Sequence, residues 1–210
     1  MAELFRMALA LTLTAGLGGC GMLTRDQGQG RTVPKPITPV QKAVASPDNP
    51  DAPIVADFNA RLDHYVKTQR SLLKSSPISE DATPAQIKAR QENLAAQLRT
   101  IRKNAKQGDI FTPPVATLFK RLMAPEVKGP ARKETREALS EEDGETAEVW
   151  LKVNASWPST EPLTTVPANL LANLPQLPRD VEYRITNKRH LVLRDVDANI
   201  IVDYIYNAIR

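Results

Sequence analysis

The only cysteine of the sequence, Cys20, is the residue whose surroundings most clearly suggest a chemical modification. Its thiol is a nucleophile that can be acylated, oxidised or bound to a metal. The small residues Gly18 and Gly19 stand immediately before it, and an apolar run over residues 7–17 comes before these. With no second cysteine in the sequence, a disulfide within the chain is excluded. The context therefore favours a processing site at Cys20.

A second candidate is an acidic segment near the C-terminus. Four oxygen-bearing residues have the spacing of positions 1, 3, 5 and 9 of a calcium-binding loop; they are Asp195, Asp197, Asn199 and Asp203. The rest of the pattern fails, because Ile200 replaces the glycine of the sharp turn and Tyr206 replaces the bidentate glutamate. We therefore predict a polar turn here and no metal site.

The two histidines, His64 and His190, stand in no spaced ligand or nucleophile motif. The sequence also lacks a Gly-x-Ser-x-Gly nucleophile elbow, and its glycines form no phosphate-binding loop. We predict no catalytic residue and no cofactor. The alternative is a small envelope enzyme or metal-dependent hydrolase in which the acidic turn near Asp195 works with His190.

The segment Leu17-Gly18-Gly19-Cys20 resembles the lipobox of bacterial lipoproteins. This resemblance implies that residues 1–19 are a signal peptide, and that Cys20 becomes the lipidated first residue of a protein facing the periplasm or the exterior. Where two membranes are present, Gly21 directly after the cysteine resembles the residue found at this position in lipoproteins sent to the outer membrane. The apolar run of residues 7–17 is also far shorter than the roughly 20 residues that span a bilayer. The membrane is thus an expected partner through the lipid anchor.

Composition separates a linker from a folded part. Residues 20–53 hold the lipidated cysteine and many prolines but few large apolar side chains, which predicts a disordered linker with a reach of roughly 30 Å. The 28 basic and 24 acidic residues leave a net charge of only +4. Because both signs are interspersed, we predict no nucleic-acid partner.

Residues 54–210 are predicted to form one α+β domain, with helices over 54–128. Helical spacing predicts a first helix over 54–74, and Thr83-Pro84 with Gln86 predicts a capping box that starts a second helix ending before Gly108. These two are expected to form a hairpin. The second helix should bury the apolar stripe Ile87, Leu94, Leu98, Ile101 and Ala105. A short third helix should start at Thr112-Pro113 and end before Pro125.

The charge-rich residues 129–144 are predicted to be a fourth helix around 133–139 or a mobile connection. Residues 145–210 should be rich in strands, with a first strand over 147–153 and one or two helical turns over 168–174. Alternation around Val181, Leu191 and Ile200 predicts an antiparallel meander. For the last segment, a helix is the alternative.

Two further observations concern function. Trp150 and Trp157 are expected to pack in the core, with an exposed aromatic patch as the alternative. Residues 190–205, together with 108–113, resemble a group of secreted or lipid-anchored bacterial proteins with no established activity, which implies a shared fold only. The sequence thus favours a non-catalytic, membrane-anchored envelope lipoprotein, a binding or scaffolding module for an envelope protein or a cell-wall partner.

Overall fold

The computed structural model describes residues 49–141, 150–158 and 166–209, all of which lie in the unit formed by Val40–Arg210. Five helices and three strands are described there, so the protein has an α+β fold, as the sequence predicts. The helices are α1 (Ala52–Ser75), α2 (Pro84–Ile101), α3 (Pro113–Lys128), α4 (Arg132–Glu141) and α5 (Ala168–Ala172). The strands are β1 (Val181–Thr186), β2 (His190–Asp195) and β3 (Ile200–Ile205).

Local sequence signals explain where the helices begin. The Thr83 side chain accepts the Gln86 N–H while the Gln86 side chain accepts the Thr83 N–H, which forms the predicted capping box of α2. Helix α1 begins at Ala52, before the predicted start at residue 54. The predicted fourth helix is present as α4, and the predicted turns after Pro167 form α5.

Two predicted helix ends and part of one predicted stripe are wrong. Helix α2 stops at Ile101, and a loop rather than a helix leads to Gly108. Helix α3 continues through Pro125 to Lys128, although a proline has no N–H for a backbone hydrogen bond. The extra turn buries Val127 in the core, which favours it. Of the stripe on α2, Leu94 and Leu98 are buried, whereas Ile87 and Ile101 are 53% and 55% exposed.

The strands form an antiparallel sheet in the order β1-β2-β3, which confirms the predicted meander and excludes the helical alternative for the last segment. Positive φ angles at Asn187 and Lys188, 49° and 55°, make the tight turn between β1 and β2. The helix-side face of the sheet packs on α1–α3 through residues such as Leu193 and Val202. The opposite face packs Val192, Ile201 and Tyr204 on Leu151 and Trp157.

The strand predicted over 147–153 is wrong where it can be compared. Residues 147–149 lie outside the described residues, and 150–153 form no strand. Asn154 has a φ of 65°, which turns the chain, and the residues after it lie along β3 instead. The Asn154 N–H donates to Ile201 O at 2.8 Å, and the Trp157 N–H donates to Asn199 O at 2.9 Å. The alternation of apolar and polar residues over 150–153 therefore reflects burial of one side of the segment, and the segment is not paired as a strand.

A β-bulge in β3 determines which way its polar residue points. Arg194 pairs with Ile201 and Leu193 pairs with Asp203, so Val202 is the extra residue. Cross-strand partners project to the same face, and Leu193 belongs to the helix-side core. The bulge thus places Val202 and Asp203 on the same side, toward the helices.

Candidate functional site

A groove of about 580 Å³ lies between α1 and the loop after α2. We call it the α1–α2 groove. Its lining combines apolar with hydrogen-bonding side chains. It is lined by Asp57, Ala60, Arg61, His64, Tyr65, Thr68, Ile101, Arg102, Asn104, Ala105, Asp109 and Ile110.

Arg102, the residue directly after α2, is held on three sides. Its Nη2 donates to Val202 O at 3.0 Å, so that it binds the carbonyl of the bulge. Its Nη1 donates to Asn154 Oδ1 at 2.8 Å, and the Asn154 amide donates back to Arg102 O at 2.9 Å. The guanidinium carbon lies 4.9 Å from the centre of the Tyr65 ring, a cation–π contact. Burial lowers the pKa of Arg102 from its usual value, although a guanidinium remains charged at neutral pH.

Tyr65 connects the groove to the acidic turn predicted from the sequence. Its hydroxyl donates to Asp195 Oδ2 at 2.6 Å, and the Ala198 N–H donates to Asp195 Oδ1 at 2.6 Å. Burial raises the pKa of the Asp195 carboxyl, while these two hydrogen bonds oppose the shift and the charge of Asp197 adds to it. Burial and the nearby Asp195 charge also raise the pKa of the Tyr65 hydroxyl well above its usual value. Tyr65 therefore remains a hydrogen-bond donor at neutral pH.

The loop wall of the groove is fixed by Asp203. This fully buried carboxylate accepts the N–H of Gly108 at 3.0 Å on Oδ1, and those of Ile110 and Phe111 at 2.8 Å each on Oδ2. Gly108 has a φ of +89°, a conformation that side-chain-bearing residues rarely adopt, and this turns its N–H to the carboxylate. The contact joins the loop after α2 to β3.

The opposite wall is formed by α1, and it includes an ion pair between two residues of this helix. Arg61 Nε lies 2.9 Å from both carboxylate oxygens of Asp57, and its Nη1 donates to Asp109 O at 3.0 Å. Asp109 itself accepts the Lys106 N–H at 2.9 Å. Both carboxylates that line the groove are thus engaged. The groove is also lined by the exposed apolar side chain of Ile101.

The two histidines, of which only His190 belongs to the hydrolase alternative, lie apart. His64 is exposed and lines the α1–α2 groove. His190 is buried, accepts the Asn207 N–H on Nδ1 at 3.0 Å, and packs edge-on against the Tyr206 ring at 5.0 Å. It begins β2 and Asp195 ends it, so about 17 Å of extended strand separate their backbones. The structure does not bring the two residues of the hydrolase alternative together.

The four residues with calcium-loop spacing also have separate partners. Asp195 binds Tyr65, Asp197 accepts Gln69 Nε2 at 3.0 Å, and Asn199 Oδ1 accepts Arg194 Nε at 2.9 Å. The Asp203 carboxylate accepts N–H groups of the loop after α2. Across residues 49–141, 150–158 and 166–209, no group of three or more histidine, cysteine or acidic residues is placed to hold a metal.

The two tryptophans have different environments. Trp157 is 4% exposed and packs on the sheet, with the Arg194 guanidinium carbon 5.9 Å from its ring centre. Trp150 is 89% exposed. The packing prediction is therefore right for Trp157 and wrong for Trp150, and the two do not form one patch. Cys20, the predicted signal peptide (residues 1–19) and residues 20–48 of the predicted linker lie outside the described residues, whereas Ala52 and Pro53 at the end of that predicted linker begin α1.

Arg102 and Tyr65 were missed from the sequence as residues of a site. The helical spacing of α1 predicts that Tyr65 lies on a buried face. No neighbouring residue indicates that its hydroxyl binds Asp195, which lies 130 positions later. The one available signal was the pairing of a buried-face tyrosine with an aspartate in a buried strand, because both need partners.

Within the part of the chain that the structure describes, no helix combines the length and apolarity required to cross a bilayer.

Comparison of the chain with protein families, curated proteins and solved structures finds no match. What the site can do therefore rests on its geometry.

The raised pKa of Asp195 gives a test of the buried Tyr65–Asp195 contact. A folded-state pKa above the unfolded value, about 3.9, means that the folded chain binds the proton more tightly. This group therefore favours folding most at acid pH, and that contribution is lost as pH rises through the folded pKa. We expect the free energy of unfolding of Asp195→Asn, minus that of the parent, to increase from about pH 4 upward.

The measurement is urea unfolding at several pH values, with the exposed Asp63→Asn as the control. A difference for Asp195→Asn that stays constant or falls with rising pH would contradict the buried, raised carboxyl.

Proposed function

We propose that this protein is a non-catalytic lipoprotein of the bacterial envelope, anchored through Cys20, whose folded unit binds a protein or cell-wall partner. The observation that carries the proposal is Leu17-Gly18-Gly19-Cys20 at the end of an apolar run too short to span a bilayer. Its cysteine is followed by the proline-rich segment that precedes α1. The envelope is the proposed location, facing the periplasm or exterior. Gly21 favours the outer membrane where there are two.

The α1–α2 groove supports the binding part of the proposal. It is lined by Arg61 and Arg102, whose guanidinium groups each have more N–H donors than their contacts within the protein use, and by the exposed Ile101. Such a mixture of an apolar surface and a few positioned polar groups is typical of binding sites. The rigid fixation of Arg102 by three neighbours reduces the ordering cost that a ligand would otherwise meet.

The anchor is tested by Cys20→Ser in the full chain, expressed in a bacterium that processes lipoproteins. We expect the parent to be found in the membrane fraction and to enter the detergent phase, because acyl chains on the cysteine partition into lipid. The variant should appear as unprocessed precursor or in the aqueous phase.

Met22→Ser is the matched control, since it introduces the same side chain two positions away without removing the thiol. Equal detergent partitioning of Cys20→Ser and Met22→Ser would overturn the lipoprotein proposal. Density separation of the two membranes in the same cells tests the outer-membrane assignment.

A further inference from the structure

Two adjoining grooves on the α3 side of the fold have a lining rich in cations. One, of about 290 Å³, lies between α3 and the segment after β3, and the other, of about 270 Å³, lies between α4 and the same segment. Val127 lines both. The four cations that line them are Lys120, Lys128, Arg136 and Lys188, which we call the basic face.

The cations of the basic face are free of ion pairs in the part of the chain that the structure describes. All four side chains belong to exposed residues. Neither groove is lined by a described carboxylate. The nearest acid on α3, Glu126, instead accepts the Asn169 amide of α5 at 3.0 Å. The positive charge is thus available to an external anion.

The chain enters the described structure beside this face. Asp51, directly before α1, forms an ion pair with Arg121, the neighbour of Lys120 on α3. Any tether that precedes residue 49 therefore joins the folded unit near the basic face. Tyr206, 42% exposed, lines the same groove as Lys120 and Lys128. Lysines around an exposed aromatic ring suit the headgroup level of a membrane.

We propose that the basic face docks on the anionic surface of the membrane that holds the lipid anchor. This inference rests on the proposed anchor at Cys20, because the anchor supplies the high local concentration of lipid that makes a few weak contacts effective. Each cation within reach of an anionic leaflet adds to the attraction. The face therefore orients the folded unit, with α3 and the C-terminal segment toward the lipid.

The test uses residues 20–210 with Cys20→Ser, which carries no acyl chain, so that binding to lipid reports on the protein surface alone. Sedimentation is measured with vesicles of phosphatidylcholine and with vesicles of equal parts phosphatidylcholine and phosphatidylglycerol. We expect binding to the mixed vesicles only, weakening with salt. Replacing all four residues of the basic face by glutamine should weaken it about fivefold per cation, and at least about 100-fold in total.

A matched control replaces four exposed lysines that line neither groove, Lys67, Lys74, Lys88 and Lys103, by glutamine. The control removes the same net charge and should weaken binding by no more than about threefold if the basic face is the contact. Equal weakening by both variants, or equal binding to both kinds of vesicle, would overturn the proposal. Tighter binding to duplex DNA than to the mixed vesicles would assign the face to nucleic acid and overturn it as well.

Because the Cys20→Ser variant used with the vesicles has no acyl chain, the vesicle result does not depend on whether Cys20 is lipidated in the cell. Failure of the anchor is detected separately by detergent partitioning of the full chain. All eight replaced side chains are exposed, so both variants should retain the parent's thermal unfolding transition.

Discussion

Asp203→Ala is expected to remove about 2–6 kcal/mol from the free energy of unfolding, because two of the N–H groups that it accepts, those of Ile110 and Phe111, are buried. The carboxylate is the acceptor for the N–H groups of Gly108, Ile110 and Phe111, and it is fully buried. Each buried donor left without an acceptor costs about 1–3 kcal/mol. Because small domains are stable by only about 5–15 kcal/mol, this substitution should remove a large share of the stability.

Urea unfolding followed by circular dichroism measures the loss. Asp203→Asn keeps one of the two acceptor oxygens and should fall between the parent and the alanine variant. Asp63→Ala removes the same charge from an exposed position of α1 and should change stability by less than about 0.5 kcal/mol. Hydrogen exchange at the Ile110 and Phe111 amides should accelerate in Asp203→Ala. A loss below about 1 kcal/mol would show that Asp203 does not fix the loop.

Phe119→Ala should cost about 3–5 kcal/mol. Its side chain is fully buried, and its ring lies edge-on at 5.1 Å from Phe58, 5.3 Å from Phe111 and 6.0 Å from Tyr183, measured between ring centres. It therefore contacts α1, the loop after α2 and the sheet at once. Removing the ring leaves a cavity that these three rigid elements cannot all close.

Phe119→Leu preserves most of the volume and should lose roughly 1.5 kcal/mol. Ile87→Ala, at a half-exposed position of α2, should be neutral within about 0.5 kcal/mol. If Phe119→Ala were as mild as Ile87→Ala, the core would not be organised around this ring.

Local signals in the sequence were sufficient for most elements. Thr83, Pro84 and Gln86 identify the start of α2 because capping uses neighbouring residues. The meander was predicted because alternation and the Asn187-Lys188 turn act over a few positions. These features need no information about distant parts of the chain.

What the sequence could not predict depends on distant contacts. Strict alternation from Ile200 would put Asp203 on the face of Ile201, whereas the bulge at Val202 turns it to the helices. The bulge carbonyl is bound by Arg102, a residue 100 positions earlier. The predicted strand over 147–153 failed for the same reason, since alternation reports a buried side and not a pairing partner. The α1–α2 groove arises from these long-range contacts.

The hypotheses on metal binding and hydrolysis show the limits of spacing alone. Asp195 and Asp203 have the sequence separation of two calcium ligands, yet one binds Tyr65 and the other binds the loop at Gly108. In an extended strand, successive residues are separated by about 3.4 Å along the strand axis. Residues spaced for a loop therefore do not converge when part of the segment is a strand.

The central claim is that Cys20 becomes the lipidated first residue of the mature chain, and mass spectrometry of the native protein's N-terminal peptide tests it most directly. The protein would be purified in detergent from membranes and digested. We expect a peptide that begins at Cys20 and carries a diacylglyceryl group on its sulfur. A peptide that retains residues 1–19, or one that begins with an unmodified Cys20, would contradict it.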